Sequence, residues 1–569
     1  MSDEEKASRI AQVVFEAFDA LKAQDKRIDF GSGKWTVLAS FVLEDTHTGE
    51  MVPCAMATGN KCIGRSMMKE DGSVINDCHA EVMARRAFIG WLLDEVLYLK
   101  MAEQRVEERT TGPVGAVSPL VQVADNKYSL KENMRVHFYV SEVPCGDANI
   151  YDSVLSHHQS SYPLKQESSE STLNGRCVVI PHEKTQTCTF TGAKLVKYLN
   201  VVDESMRRED EQIVGAVRLK PGRHDLQMGS RSISMSCSDK IARWVALGLQ
   251  GGLLSTFVNH VSLSSVVVSA AAAEEGGQPG LHQALQRALW DRLQPLLERS
   301  NVSQPGGQIS STLFDQTIRP SIHLIATPFK FCKACVEDDQ SIRAAATFTA
   351  GTEDHSAAEK KEQTAKIKRR KKENNKIRPS DLSINWFLSA PAPLLSMQPL
   401  AAVMKKGNGV EVLIASQGYK QGSNLKKMSP KFCSRLCQQN IFEKYEAIMN
   451  TIDTTHVSSS DEAEEGTLLG TGSNNNEIME NNSSNINNVN KKQKKNGMKK
   501  TTMIMEEYYA RKYHDNSYMG RRSVFLQSPE FGEWVLSHSQ LKEKVAASKE
   551  DILTKSVNEN SNKIPRERW

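Results

Sequence analysis

Three short segments of this 569-residue sequence carry side chains able to hold a metal ion. They are Asn76-Asp77-Cys78-His79-Ala80-Glu81, Pro144-Cys145-Gly146-Asp147 and Met235-Ser236-Cys237-Ser238-Asp239-Lys240. Each sits where one element ends and a helix begins. A thiolate at a helix start is stabilised by free N–H groups and by the positive end of the helix dipole, which readies it for a metal. His79, Cys145 and Cys237 together make three protein ligands for zinc and leave one position open, as a catalytic zinc requires. Glu81 lies two residues beyond His79 on the same first turn. It reaches that open position without being a ligand, and is placed to take a proton from water and deliver it to a substrate nitrogen.

His79 and Cys145 are 66 residues apart, and Cys145 and Cys237 are 92 apart, so only a fold can gather them. His-x-Glu followed by Pro-Cys-x-x-Cys is the pattern of zinc deaminases. Here Ala148 occupies the last position of the second half, which leaves the third ligand to come from elsewhere, and Cys237 is the best candidate. Cys54, Cys62 and Cys78 are weaker substitutes, because none has so clear a helix-start setting. Cys332-Lys-Ala-Cys335 with Cys433-Ser-Arg-Leu-Cys437 is a competing arrangement, suited to a structural zinc.

The elements that must position these groups alternate between helix and strand. Apolar residues from Val82 to Leu97 recur at helical spacing and predict a helix over 80–100, capped by Asn76 or Asp77. Residues 135–140 read as a strand ending before Pro144. Residues 232–235 are strand-like, 238–256 read as a second apolar helix, and 410–416 as a further strand. The mixture predicts an α/β layered core.

Composition bounds the rest. Hydrophobic residues make up 39% and charged residues 25%, which is globular in character. The amino terminus is acidic, unlike a signal peptide. The longest apolar run, 265–273, falls short of the ~18 residues that span a bilayer. Eleven cysteines are too sparse for a disulfide scaffold. An intracellular protein is expected, in nucleus or cytoplasm. The net charge of +4 conceals a run of +7 over 360–376 and another of +6 over 491–500, leaving −9 elsewhere. Affinity for a polyanion must therefore be local. Within the first run, 366–376 is a candidate nuclear localisation signal or RNA tether. Segments 351–381 and 453–502 read as disordered inserts.

Gly59-Asn60-Lys61-Cys62-Ile63-Gly64, the three ligand segments extended through Ser236–Trp244, Ser383-Ile-Asn-Trp386, Ser434-Arg-Leu-Cys437 and Phe531-Gly-Glu-Trp534 closely resemble the RNA adenosine deaminases. The resemblance implies one adenosine-deaminase (editase) domain over 1–569, with a cytidine-deaminase-like layered core. That core is a mixed sheet with flanking helices, enlarged by a helical C-terminal part and the inserts. It also implies zinc on His79, Cys145 and Cys237, Glu81 as proton shuttle, and hydrolytic deamination of adenosine to inosine. The family has a branch that edits double-stranded RNA and a branch that acts on tRNA. Fewer than sixty residues precede Gly59, too few for a double-stranded-RNA module, and Thr191–Lys194 and Leu219–Asp225 are more like the tRNA branch. The implied partner is alanine tRNA, modified just 3′ of the anticodon, with no membrane and no obligate protein partner. Duplex RNA editing, or a non-catalytic RNA-binding relative, is the alternative.

Arg85 and Arg86 on the first helix, with Lys240 and Arg243 after Cys237, read either as a surface face paired to Asp94, Asp239 or Glu95, or as cations gathered by a buried polyanion. The resemblance implies the second: inositol hexakisphosphate lined by Asn76, Arg85, Arg86, Lys240 and Arg243. Lys420, Tyr518, Arg522 and Trp534 match further ligand positions, while Gly252 replaces a serine ligand of the editing branch. Lys61 is a candidate RNA contact, and Arg218, Lys220 and Arg223 are candidates to grip phosphates.

Overall fold

The computed structural model describes residues 1–108, 118–123, 127–152, 178–179, 188–189, 195–196, 213–220, 232–269, 279–300, 314, 316–325, 329, 331–333, 336, 377–390, 409–423, 429–457, 505–528 and 531. Its centre is an eight-stranded mixed sheet. In chain order the strands are β1 (Leu38–Asp45), β2 (Glu50–Thr58), β3 (Met134–Val140), β4 (Ser265–Ser269), β5 (Ser321–Ile325), β6 (Leu382–Phe387), β7 (Glu411–Ile414) and β8 (Tyr419–Lys420). Across the sheet the order is β5-β4-β3-β1-β2-β6-β7-β8. β3, β4 and β5 run parallel, and every other pairing is antiparallel. The parallel part needs crossover connections, and these carry the helices that bear the site.

The main helices are α1 (Asp3–Gln24), α2 (Ala80–Glu108), α3 (Cys237–Leu247), α4 (Pro279–Leu289), α5 (Gln438–Val457) and α6 (Asn516–Gln527). α1 begins with a capping box in which Ser2 and Glu5 satisfy each other's backbone amides. α1 and α2 both pack on β1 and β2. The residues of β1 and β2 are buried apart from half-buried Glu50, which explains why they read as continuous rather than alternating apolar runs. Phe41 on β1 meets Phe88 on α2 and Phe138 on β3, each at 4.9 Å between ring centres. α5 closes over the outer side of α2.

The α/β class expected from the sequence is the one observed, with differences at element ends. The helix expected over 238–256 stops at Leu247, because Gly248 turns into the left-handed region (φ 88°) and a separate short helix follows over Gly251–Leu254. Residues 232–235 form no strand; Met235 makes one isolated bridge to Leu219. The end of the expected insert 351–381 is ordered, since Arg378–Pro379 pairs in parallel with Lys34–Trp35. Likewise, the first residues of the insert 453–502 form the last turns of α5, which runs to Val457. Residues 351–376 and 458–502 lie outside the described residues. Among the described residues, no helix is long and apolar enough to cross a membrane.

One polar network is sunk in this sheet. His137 on β3 contacts Ser265 on β4 through Nδ1 (2.7 Å) and Glu44 on β1 through Nε2 (2.9 Å), and Lys6 of α1 pairs with Glu44 at 2.9 Å. The His137 hydrogen bond, joined by Lys6, lowers Glu44 from 4.5 to about 2. A carboxylate depressed in the folded state stabilises fully above its ordinary value, and that stability is lost as pH falls toward the depressed one. Glu44→Gln is therefore expected to cost about 1.5–3 kcal/mol at neutral pH. Its deficit against the unsubstituted protein should shrink between pH 4.5 and 2, as read by thermal unfolding across pH. A deficit unchanged by pH would show that the Glu44 charge is not what holds α1 down.

Candidate metal centre and the cationic cavity beside it

The helix start of α2 is fixed by the segment that runs alongside it. Ile63 donates to Asn76 O, Cys78 to Lys61 O and Ala80 to Gly59 O, so residues 59–63 form a short antiparallel pairing with 76–80. Gly59 is required for this approach: it sits at φ 143°, and a Cβ there would lie 2.0 Å from Cys78 O. Asp77 Oδ1 accepts the His79 amide at 3.0 Å, so of the two expected caps Asp77 is the one that takes this amide.

Cys145 lies in the turn after β3, and Cys237 is the first residue of α3, whose cap is Ser236. The two turns are knitted together: Ser238 donates to Cys145 O at 3.0 Å, and the Cys237 amide points at Cys145 Sγ at 3.4 Å. Gly146 makes the contact possible, since at φ 112° a Cβ would meet Ser236 Oγ at 2.2 Å and Ser238 Oγ at 2.3 Å.

These turns bring the three expected ligands together. The ligand atoms of His79, Cys145 and Cys237 lie within 4.8 Å of one another, with His79 Nδ1 3.5 Å from Cys237 Sγ. Among the described residues they are the one group of this kind. Cys332, Cys433 and Cys437 are buried without forming such a group, and Cys335 lies outside the described residues. The hydrogen bond from Cys237 holds the Cys145 thiol well below its ordinary range, while burial pushes Cys237 well above. Burial and Lys220 act to lower His79, but Asp77 and hydrogen bonds with Cys145 and Cys62 raise it to about 10. The protein alone thus holds its proton between soft donors, and a divalent ion would displace it. The donor set suits zinc: borderline-soft N and S ligands, three in number, on rigid turns.

Glu81 is 4% exposed, and its Oε2 is buried with no hydrogen-bond partner. Burial raises its carboxyl above the usual range. That is the state expected of a group that must exchange protons near neutrality.

Behind the metal group, Asp77 Oδ2 accepts from Lys220 (2.7 Å), Ser234 (2.6 Å) and Lys240. Lys220 also reaches Cys237 Sγ at 3.2 Å. Lys220 and Arg218, read from sequence as phosphate grips, are therefore interior: Lys220 is 3% exposed and Arg218 is fully buried. A lysine so enclosed is affordable because Asp77 and the thiols surround it. Arg223 lies outside the described residues. Lys61 is at the rim, 3.3 Å from Asp381.

Lys240 connects to a cavity of about 270 Å³. Of the residues expected around a polyanion, Asn76, Arg85, Arg86, Lys240, Arg243, Tyr518 and Arg522 all line it. Lys420 does not; the β7–β8 pairing sets it 3.4 Å from Glu411 instead. Trp534 lies outside the described residues. Lys512, Tyr508 and Tyr513 line the cavity and were not singled out from sequence. Their signal is the run Tyr508-Tyr509-Ala510-Arg511-Lys512-Tyr513, which mixes phenols with cations. The acids considered as partners are elsewhere: Asp94 pairs with Lys444, Glu95 accepts from Ser118, and Asp239 pairs with Arg292. Arg85 and Arg86 donate to Leu249 O and Leu436 O.

Six cationic side chains thus face the cavity against the single carboxylate of Asp77. Arg85 Nε and Arg522 Nε are buried with no hydrogen-bond partner. Burial, with Arg243, Arg522 and Arg85 adding to it, lowers Lys512 from 10.5 to about 7. Burial alone would raise the Tyr518 hydroxyl, yet the four surrounding cations hold it below its ordinary value. Such a set fits a compact polyanion of many oxygens. At Gly252, a Cβ would meet Lys512 O at 2.4 Å and the Tyr518 ring at 2.7 Å, so here the chain fills the space that a serine would need.

Comparison with known proteins matches residues 55–535 to the adenosine-deaminase (editase) domain family. The tRNA-specific adenosine deaminase 1 of Drosophila melanogaster is 31% identical over 250 residues, covering 44% of this chain and 51% of the relative. Its Mus musculus namesake is 30% identical over 376 residues, covering 51% and 70%. The double-stranded RNA-specific editase B2 of Rattus norvegicus is 30% identical over 227 residues, covering 39% and 25%. The chain spans about half the length of the fly relative. With the family's match running through β2, the three ligand turns and the far side of the cavity, the chain belongs to the adenosine-deaminase (editase) domain family.

Proposed function

We propose that the protein is a zinc-dependent enzyme that hydrolyses adenosine to inosine in tRNA, with the adenosine 3′ of the alanine tRNA anticodon as its target. The observation that carries this reading is the convergence of His79, Cys145 and Cys237, with Glu81 buried two residues beyond His79 and one of its carboxyl oxygens unpartnered. His79 and the two cysteines would hold zinc, which when bound supplies the Lewis acidity that makes water nucleophilic at neutral pH. Glu81 takes up the proton that water gives away, passes it to the purine ring nitrogen, and then serves the departing amine. Its raised protonation range favours both halves of that exchange. Lys220 secures Cys237 and Asp77, which fixes the thiolate against the helix start. The target base must leave its stack to reach this depth, which costs least in an unpaired anticodon loop. Lys61 at the rim would meet an RNA phosphate.

The cavity lined by Asn76, Arg85, Arg86, Lys240, Arg243, Lys512, Tyr518 and Arg522 would hold inositol hexakisphosphate as part of the folded core. Lys420 and Trp534 belong to this set only by resemblance. The whole chain is read as one catalytic domain acting inside the cell, in nucleus or cytoplasm.

The relatives named for tRNA and those named for double-stranded RNA set the test. Purified protein is offered alanine tRNA and a long duplex in parallel, and inosine is mapped by sequencing. Inosine in the anticodon loop with none in the duplex is expected; inosine in the duplex alone would reassign the substrate.

A further inference from the structure

Both metal-candidate cysteines are followed, two residues later, by an aspartate with no exposed surface: Cys145-Gly146-Asp147 and Cys237-Ser238-Asp239. The two carboxylates are held by comparable partners, a backbone amide on one oxygen and an arginine at the other, and Asp239 Oδ2 also accepts from Ser236 Oγ at 2.6 Å. Asp147 Oδ1 accepts the Gly215 amide at 2.7 Å, and Asp239 Oδ2 accepts the Arg218 amide at 2.8 Å. Their other oxygens face arginines: Arg287 Nε meets Asp147 Oδ2 at 2.9 Å, and Arg292 Nη1 meets Asp239 Oδ1 at 2.6 Å.

The two amides come from one short stretch, 213–219, and the two arginines from one helical stretch, α4 and the turn after it (Asp291–Leu293). Arg287 further donates to Asp147 O and Ile150 O, both at 2.9 Å, so it grips backbone as well as carboxylate. Arg292 is tethered by its own Nε to Ala288 O at 2.7 Å and lies over the Phe531 ring. Neither arginine is among the metal-candidate residues, and neither lines the cationic cavity.

A structural ion pair would explain one such contact. It does not explain why two carboxylates, each at the same offset from a thiol, are bracketed by the same two pieces of chain. Arg287 fixes Asp147 by a hydrogen bond and Arg292 fixes Asp239 by a buried ion pair, and each restrains the turn that carries the preceding cysteine. Arg287 in α4 and Arg292 in the short turn that follows Trp290 are five positions apart on adjoining pieces of chain, so one segment ties the two cysteine-bearing turns to each other.

We infer that Arg287 and Arg292 are positioning residues that set the separation of Cys145 and Cys237 by clamping Asp147 and Asp239. This rests on the reading that those cysteines bind a metal. Partners one step removed from a metal typically change its affinity by about 10–100-fold when removed.

The test uses the full chain with Arg287→Gln and Arg292→Gln, and with the Lys substitutions that keep charge but lose the fork geometry. Zinc affinity is measured by competition with a chromogenic chelator. The cobalt-loaded proteins are compared by their thiolate-to-metal and ligand-field absorption, and folding by circular dichroism. Each Gln variant is expected to fold, to bind zinc about 10–100-fold more weakly and to shift the cobalt bands. If a Gln variant fails to fold, its Lys counterpart is read by the same criteria, with a smaller loss in the same direction. Folded variants with unchanged zinc affinity and an unchanged cobalt spectrum would overturn the inference. An unsubstituted protein that binds no zinc would instead overturn the metal assignment beneath it.

Discussion

Glu81→Ala is expected to keep zinc bound while cutting inosine formation by about 10²–10⁴-fold, the range that a positioned proton carrier contributes. The separation of the two effects follows from geometry. The three metal-candidate atoms come from His79, Cys145 and Cys237 alone, and Glu81 is outside their group. Its carboxyl group is buried with one oxygen unpartnered, so truncating it breaks no hydrogen bond of the ligand turns. Removing a buried acid whose protonated form is favoured by its surroundings should also leave stability nearly unchanged. Metal analysis and a single-turnover inosine assay on the same preparation check both halves. Near-normal turnover in a zinc-loaded variant would remove Glu81 from the mechanism, and loss of zinc would make it a ligand.

Removal of the proposed polyanion is expected to have the second large effect. Protein made in cells unable to synthesise inositol hexakisphosphate should be insoluble or should unfold at a much lower temperature, because six cations would face one carboxylate with nothing between them. The sign of its pH dependence is fixed by Lys512. Burial, with neighbouring arginines, lowers that group from 10.5 to about 7 without a partner, so the unfolded chain binds more protons than the folded one between those values. Stability of the depleted protein should therefore rise with pH across about 7 to 10.5, while the loaded protein, whose lysine stays charged, should lack that rise. Mass spectrometry of denatured protein identifies the bound species, and thermal unfolding at several pH values reads the trend. A depleted protein as stable as the loaded one would mean that the cavity holds only water.

The candidate metal group was legible because its chemistry is local: His79 and Cys237 sit at the starts of α2 and α3, and Cys145 in the turn that follows β3 rather than at a capped helix. For Arg85, Arg86, Lys240 and Arg243, position on two apolar helices left both a surface face and a shared cavity open, and the resemblance chose the cavity that they line. What escaped depended on distant partners. Lys220 looks like a surface cation until Asp77 arrives from 143 positions away, and Arg218 two residues before it is fully buried. Lys420 was assigned by resemblance, but the β7–β8 hairpin directs it to Glu411. Helical periodicity carried 238–256 straight through Gly248, because apolar spacing registers which face is buried and not where the backbone reverses. Asp147 and Asp239 were quoted as motif residues, yet their arginines lie on α4 and beyond, where nothing in the local pattern marks them.

The distance between His79 and Cys237 has a consequence for synthesis. The histidine leaves the ribosome 158 residues ahead of the last thiol, a delay of roughly ten to thirty seconds at ordinary elongation rates. The first 66 residues of that interval bring Cys145, and for the remaining 92 the nascent chain carries an imidazole, an acid and one of the two candidate sulfurs, with no third donor to close the set. On the proposed function, a chain that has not yet grown past Cys237 could not hold its metal, and so could not act on any transcript it met.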